Sequence, residues 1–248
     1  MADTDIIYGI HAVEAILARD PSAILEVWID RARHDQRLGK LVEQIRQQGL
    51  AIQGLKKDQL NDLTGADRHQ GVAVRCRVAS AKNENHLQQL LDGLSVPPLL
   101  LVLDGVQDPH NLGACLRTAD AVGVHAVIAP KDRAATLNAT VRKVASGAAE
   151  SVPFMTVTNL ARSLRALQER GIWLVGAAGE TRTSVYEADL RGPLAIVMGA
   201  EGKGLRRLTR ETCDVLVKIP MRGSVESLNV SVATAVCLYE AVRQRDAG

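Results

Sequence analysis

Five polar residues sit at three places in the second half of the chain where an apolar run gives way to a helical pattern. Asn111 and Arg117 lie in NLGACLRTADAVGV, Glu201 in VMGAEGKGL, and Ser227 and Asn229 in IPMRGSVESLNVSVATAV. They supply two carboxamides, a guanidinium, a carboxylate and a hydroxyl. Such groups can orient a polar substrate and place a fixed positive charge beside a phosphate or a developing oxyanion. Each also has a plainer reading. Asn111 stands where a helix N-cap belongs. Arg117, six residues on, could form a surface ion pair, Glu201 could face solvent, and Ser227 and Asn229 could cap the helix they precede. GAEGKG carries three glycines in six residues, which lets backbone approach a ligand closely. It is neither of the two familiar nucleotide loops: no GxxxxGK[ST] occurs, and GKGLRR lacks the third glycine of GxGxxG.

The elements that must position these residues are legible from hydrophobic patterning. LLLVLDG (99–105) is a nearly continuous apolar run, suited to a strand covered on both faces. HAVIAP (125–130), GIWLVGAAG (171–179), LAIVMG (194–199) and DVLVKIP (214–220) repeat it. Helical segments are expected at 112–122, 137–147, 159–170, 204–211 and 229–245. Strands alternating with helices predict a mostly parallel sheet with helices on both faces. Ligands of such sheets sit beyond the carboxyl ends of the strands, where all three polar segments fall.

Residues 1–77 form a smaller α/β pattern. HAVEAILAR (11–19) reads as a helix ended by Asp20-Pro21, EVWI (26–29) as a strand, 36–48 as a polar helix closed by Gly49, LAIQGL (50–55) as a strand, KDQLNDLT as a short helix and GVAVRCR (71–77) as a strand. Residues 78–98, opening on ASAKNEN and closing on Val96-Pro97-Pro98, read as a linker carrying one helix in HLQQLLDGL. The division expected is therefore 1–77, a linker at 78–98, and 99–248.

Composition narrows the function classes. Net charge is +2, with 11 basic and 11 acidic residues in 1–78 and 18 and 15 in 99–248, so charge alone does not say which half meets a polyanion. Aromatic residues are 2% of the chain, which disfavours base stacking on an aromatic platform. Cys76, Cys115, Cys213 and Cys237 are scattered with no CxxC pair, so reduced thiols in the cytosol are expected, with no zinc site and no metal. The N-terminus lacks a signal-like apolar core, and no apolar run is long enough to span a membrane.

The three segments, in this order, resemble the signature motifs of the SpoU (TrmH-like) branch of the SPOUT methyltransferases, over essentially all of 99–248. YGIHAVEAIL and HQGVAV resemble the small substrate-binding domain, related to ribosomal protein L30e, that precedes the catalytic domain in several members. The resemblance implies an α/β fold, with a C-terminal SPOUT domain on a parallel sheet carrying a deep trefoil knot. It implies S-adenosylmethionine as cofactor, cradled by backbone around Gly199, Ile219 and Leu228. It makes Arg117, Asn111, Glu201, Ser227 and Asn229 the polar active-site set of a cytoplasmic homodimer. The implied reaction is methyl transfer to the ribose 2′-hydroxyl of a guanosine in 23S ribosomal RNA or a ribosome precursor. The alternative within the branch is a site in tRNA or elsewhere in rRNA. Three further readings compete: a SPOUT enzyme that methylates a base, a non-enzymatic RNA-binding relative, and a nucleotide-binding oxidoreductase. SLNVSVATAV favours the ribose branch, the intact polar set argues against an inactive relative, and the missing dinucleotide fingerprint argues against the last.

Overall fold

A computed structural model describes residues 4–77 and 81–247. The elements follow in chain order: β1 (Thr4–Tyr8), α1 (Ile10–Arg19), β2 (Ile24–Asp30), α2 (Gln36–Gln47), β3 (Ile52–Leu55), α3 (Lys57–Thr64), β4 (Val72–Arg77), α4 (Glu84–Asp92), β5 (Leu99–Asp104), α5 (Pro109–Ala121), β6 (Ala126–Pro130), α6 (Ala139–Ala145), α7 (Ala148–Ser151), β7 (Phe154–Val157), α8 (Leu160–Glu169), β8 (Trp173–Ala177), β9 (Leu194–Gly199), α9 (Arg207–Thr212), β10 (Val215–Val217) and α10 (Val230–Asp246). They fall into two units. One comprises Met1–Ser80 with Leu137–Ser151, the other Ala81–Thr136 with Val152–Gly248.

The first unit has a mixed four-stranded sheet in the order β1-β4-β2-β3. Alternation along the strands sends Ile7, Val27, Val72 and Val74 into one core with Val13, Ile16 and Leu17 of α1 and Leu38, Leu41 and Ile45 of α2. Tyr8, Trp28 and Ala73 point to the opposite face and meet Leu60 of α3 and Ala139 of α6. The inclusion of 137–151 departs from the contiguous division expected from sequence, and its cause is specific. The Arg142 guanidinium is buried, pairs with Glu150, and lies 3.6 Å from Asp5 on β1. Lys143 sits 4.8 Å from the centroid of the Tyr8 ring. At Gly147 an added Cβ would stand 2.4 Å from the Ala15 Cβ. In this unit His69 is buried, accepts the Gly71 N–H at Nδ1 (3.0 Å) and bonds Asn61 Oδ1 through Nε2 (2.9 Å). Burial holds its pKa below 6.5.

The second unit is a six-stranded sheet, order β10-β8-β9-β5-β6-β7, with every pairing parallel. All six residues of β5 are buried, as the continuous apolar run predicts. Leu100 and Val102 face a core shared with α4, α8 and Leu205. The opposite face is covered by α5 and α10, which pack together through Cys115 Sγ and Thr234 Oγ1 at 3.6 Å. The stretch 81–98, read from sequence as a linker, belongs to this unit. Leu87 and Leu91 of α4 join its core, and Lys82 bonds Phe154 and Thr156 at the β7 edge. Residues 78–80 lie outside the described residues. Strand β7 was not anticipated, because its four residues lack room to show a period.

Candidate active site

Strands β5 and β9 are neighbours, and their last residues, Asp104 and Gly199, lie side by side. Chain order changes direction across the sheet here, with β6 on one flank of β5 and β9 on the other, so a crevice is expected above this point. Helix α5 leaves it on the β5 side. Its N-cap is Asp108, whose side chain accepts the His110 N–H at 2.9 Å, with Pro109 at the first helical position. The N-cap expected at Asn111 is thus displaced three residues toward the N-terminus. Asn111 sits inside the first turn, and its buried side chain is free for other work.

On the β9 side the chain makes a closed turn. Ala200 and Gly204 exchange both backbone bonds (3.1 and 2.9 Å), and the Lys203 N–H reaches the Glu201 carbonyl at 2.8 Å. A Cβ on Gly199 would stand 2.1 Å from the Gly204 carbonyl carbon. Its glycine therefore serves closure of the turn on itself, and not only the approach of a ligand. Gly204, at φ +63°, needs the left-handed region instead. The turn presents Glu201 at its tip. The third segment enters α10 at its N-cap, Asn229, whose Oδ1 accepts from the N–H (2.9 Å) and hydroxyl (2.6 Å) of Ser231.

Three of the five polar residues meet. Asn111 Nδ2 donates to Glu201 Oε1 at 2.7 Å, Asn229 Nδ2 donates to the same oxygen at 2.9 Å, and Asn229 Nδ2 also donates to Asn111 Oδ1 at 3.0 Å. One carboxylate oxygen is thereby saturated by two amides from two different helix starts. The other, Oε2, makes no hydrogen bond among the described residues. Arg117 and Ser227 are exposed and take no part in this network. Arg117 is about 120° around α5 from Asn111 by helix geometry.

Gly199 ends β9, and Ile219 and Leu228 lie on the loop beyond β10; all three are half-buried. Between them, no backbone N–H or C=O of 219–228 makes a hydrogen bond among the described residues. Residues 219–221 and 228 are half-buried, where backbone groups seek partners, and 222–227 are exposed. A run of free main-chain donors and acceptors flanked by aliphatic side chains suits an adenosine held by its edges, so the residues fit the nucleoside cofactor expected. Thiol chemistry is not indicated. Burial pushes the Cys115 thiol up to about 11 and those of Cys213 and Cys237 to about 12. Among the described residues no group of three or more His, Cys, Asp or Glu side chains is placed to hold a metal ion, and no helix is long and apolar enough to cross a membrane.

Two residues at this crevice escaped the sequence reading. Asp104 is fully buried and tied to Arg206. The available signal was an acidic residue closing a strand otherwise built of Leu and Val. The other is Asp108, announced by the Asp-Pro pair that opens many helices.

Comparison with known proteins is consistent across the chain. The SpoU rRNA Methylase family matches residues 98–239, and the family of RNA 2′-O ribose methyltransferase substrate-binding domains matches 6–80. A 23S rRNA (guanosine-2′-O-)-methyltransferase RlmB from Pectobacterium atrosepticum is 58% identical over 242 residues, covering 98% of this chain and 99% of its own. The protein of the same description from Ralstonia nicotianae is 56% identical over 245 residues, covering 99% and 98%. Among solved structures, an RNA 2′-O ribose methyltransferase aligns with a TM-score of 0.81 at 27% identity, over 98% of this chain and 90% of that one. The SpoU methyltransferase AviRb from Streptomyces viridochromogenes, solved with AdoMet, also gives 0.81, over 99% and 92%. Its 24% identity makes that a likeness of fold.

Proposed function

The chain belongs to the SpoU rRNA methylase family, and from that premise we infer that it transfers a methyl group from S-adenosylmethionine to the ribose 2′-hydroxyl of a guanosine in 23S ribosomal RNA. The observation that carries the reading is the Asn111–Glu201–Asn229 network at the switch point of a parallel sheet, in a chain that matches such enzymes over nearly its whole length. The substrate places its action in the cytoplasm.

When bound, S-adenosylmethionine would supply a methyl carbon on a sulfonium, open to in-line attack by an oxygen, with the carbon–sulfur bond breaking and S-adenosylhomocysteine leaving. The main chain of 219–228, with Ile219, Leu228 and the Gly199 end of β9, would hold the nucleoside. Asn111 and Asn229 fix Glu201 by occupying its Oε1. Oε2 is left to accept a hydrogen bond from the ribose hydroxyl as that oxygen loses its proton. Arg117 grips the phosphate of the target nucleotide and stabilises the negative charge that develops. It does not act as the base, since a guanidinium is a donor that keeps its proton in proteins. Ser227 steadies the third loop. Alignment of oxygen, carbon and sulfur is worth several kcal/mol of barrier lowering.

We further read the enzyme as a homodimer formed on α10. Val232 and Tyr239 on that helix are about half exposed, seven residues apart on one face, with the partly exposed Val236 between them. A second copy covering this stripe also gives Arg117, exposed and outside the network of its own copy, a polar set to join. The deep knot belongs to the same reading. Its support is that residues 183–185 strap Lys218 at the end of β10, while Ala188 and Leu190 bond Gln244 of α10.

The reaction is tested by label transfer from tritiated cofactor to 23S RNA followed by alkaline digestion. The expected product is a stable dinucleotide at the labelled guanosine, because a 2′-O-methyl blocks cleavage of the adjoining phosphodiester. Full alkaline release of labelled mononucleotide would assign the methyl to a base.

A further inference from the structure

Asp104 closes β5 with its carboxylate fully buried. Oδ2 accepts the backbone N–H of Arg206 at 2.8 Å, and Oδ1 lies 3.3 Å from Nε of the same residue. Arg206 is where the glycine turn ends, and Gly199, beside Asp104 in the sheet, is where it begins. One residue thus stands at one foot of the turn and grips the other. The turn needs that grip, because its own backbone bonds, Ala200 with Gly204 and Lys203 with Glu201, all close on themselves. Beyond the exit, Leu205 packs on the core and α9 docks on α8; Asp104 adds the direct hydrogen bond from the exit backbone to the end of β5. The guanidinium of Arg206 lies over Gly105, where an added Cβ would stand 3.1 Å from Nη2 and where φ is +87°. Space has been left for the pair. Asp104 is fully buried while the Arg206 side chain is 44% exposed, so desolvation of the carboxylate offsets much of the attraction and the pair is a poor source of stability. What it fixes is geometry.

We propose that Asp104 is a positioning residue for methyl transfer: by anchoring Arg206 it sets the turn so that Glu201 stays within reach of Asn111 and Asn229. The proposal rests on the methyl-transfer reading above and adds a residue to it.

The test uses the full chain and three variants, Asp104→Asn, Arg206→Gln and Glu201→Gln, with Asp104→Asn also placed in the Glu201→Gln background. Asp104→Asn should lower kcat about 10- to 100-fold, the range for residues that orient others in a site, with KM for RNA changed less than threefold. In the Glu201→Gln background the same change should cost less than threefold, since the residue it positions is already impaired. Backbone amide exchange should quicken over 200–206 and stay unchanged in β5 and α10. If Asp104→Asn does not fold, Arg206→Gln, which keeps the backbone N–H hydrogen bond to Asp104 and loses the ion pair, should show the same pattern at smaller size. A folded Asp104→Asn with wild-type kcat, or an equal loss in both backgrounds, would overturn the proposal. Amide exchange reads the anchor without turnover, so a wild-type chain unable to methylate ribose would sink the assigned reaction and leave this measurement standing.

Discussion

Glu201 Oε1 receives two amide N–H groups and Oε2 receives none among the described residues, so this side chain is held from one side and open on the other. Replacing it by Gln keeps an acceptor for the two asparagines but removes the charge that draws a proton from the ribose. Glu201→Gln is expected to lower single-turnover methyl transfer about 10²- to 10⁴-fold, the usual span for a proton acceptor. Its affinity for S-adenosylmethionine, measured by calorimetry, should stay within a few-fold of wild type. His69 carries a separate prediction. Its Nδ1 accepts the Gly71 N–H and must therefore be unprotonated, and burial depresses its pKa below the unfolded value of 6.5. The unfolded chain then binds more protons than the folded chain as pH falls through 6.5. Stability from this group is full above 6.5 and is lost as pH drops toward the folded value. The unfolding midpoint of the first unit should fall on going from pH 7.5 to 5.5, and His69→Gln should flatten that dependence. A pH response unaltered by the substitution would show that other groups carry it.

At the scale of elements, the glycine turn is the least forgiving piece. Gly199→Ala puts a carbon 2.1 Å from backbone, a contact no rotamer can relieve. Expected is a folded sheet with methyl transfer reduced at least about 100-fold, as displacement of a site by roughly 1 Å does. Wild-type turnover would show that the turn has room to move. Asp108→Ala should cost about 1 kcal/mol of stability in urea unfolding, from the lost cap of α5. Amphipathic helices and apolar strands were readable from sequence because their pattern repeats: β5, β9, α2 and α8 fall within a residue or two of expectation. Short pieces were not. Asn111 and Asp108 are both good cap residues three apart, and only the Pro109 position distinguishes them. The 81–98 stretch looks polar, yet two leucines one turn apart suffice to dock α4. Motif order indicated that Asn111, Glu201 and Asn229 belong together. It could not show that they bond one another, because the turn that raises Glu201 is closed by backbone contacts that leave no pattern in side-chain type.

The whole chain is not two beads in series. Removing 1–80 alone would strip Arg142 of Asp5 and expose Val141 and Ala145, which are buried in the first unit. Such a truncation should aggregate, while one that also replaces 137–151 with a short flexible linker should be soluble and bind S-adenosylmethionine by calorimetry. Equal solubility of the two would show that this segment does not depend on the first unit. The dimer reading makes its own prediction. Arg117→Ala and Glu201→Gln subunits, each inactive alone, should regain activity when mixed and allowed to exchange, because one site per heterodimer then holds both side chains. Silence of the mixture would mean that Arg117 serves its own copy.

The interruption of the first unit also bears on its birth. Translation must run on for roughly 70 residues past Ser80 before Ser151 is made, at least about 4 to 14 s at ordinary elongation rates. During that pause Tyr8, Trp28 and Leu60 have emerged with α3 packed among them but without α6, which brings Ala139 to the cluster and Lys143 over the Tyr8 ring. The nascent chain thus carries a sticky half-built face beside the very particle whose RNA it will later modify. Rapid synthesis, or a chaperone stationed at the tunnel exit, should raise the yield of active enzyme, and engineered pauses between codons 80 and 137 should lower it.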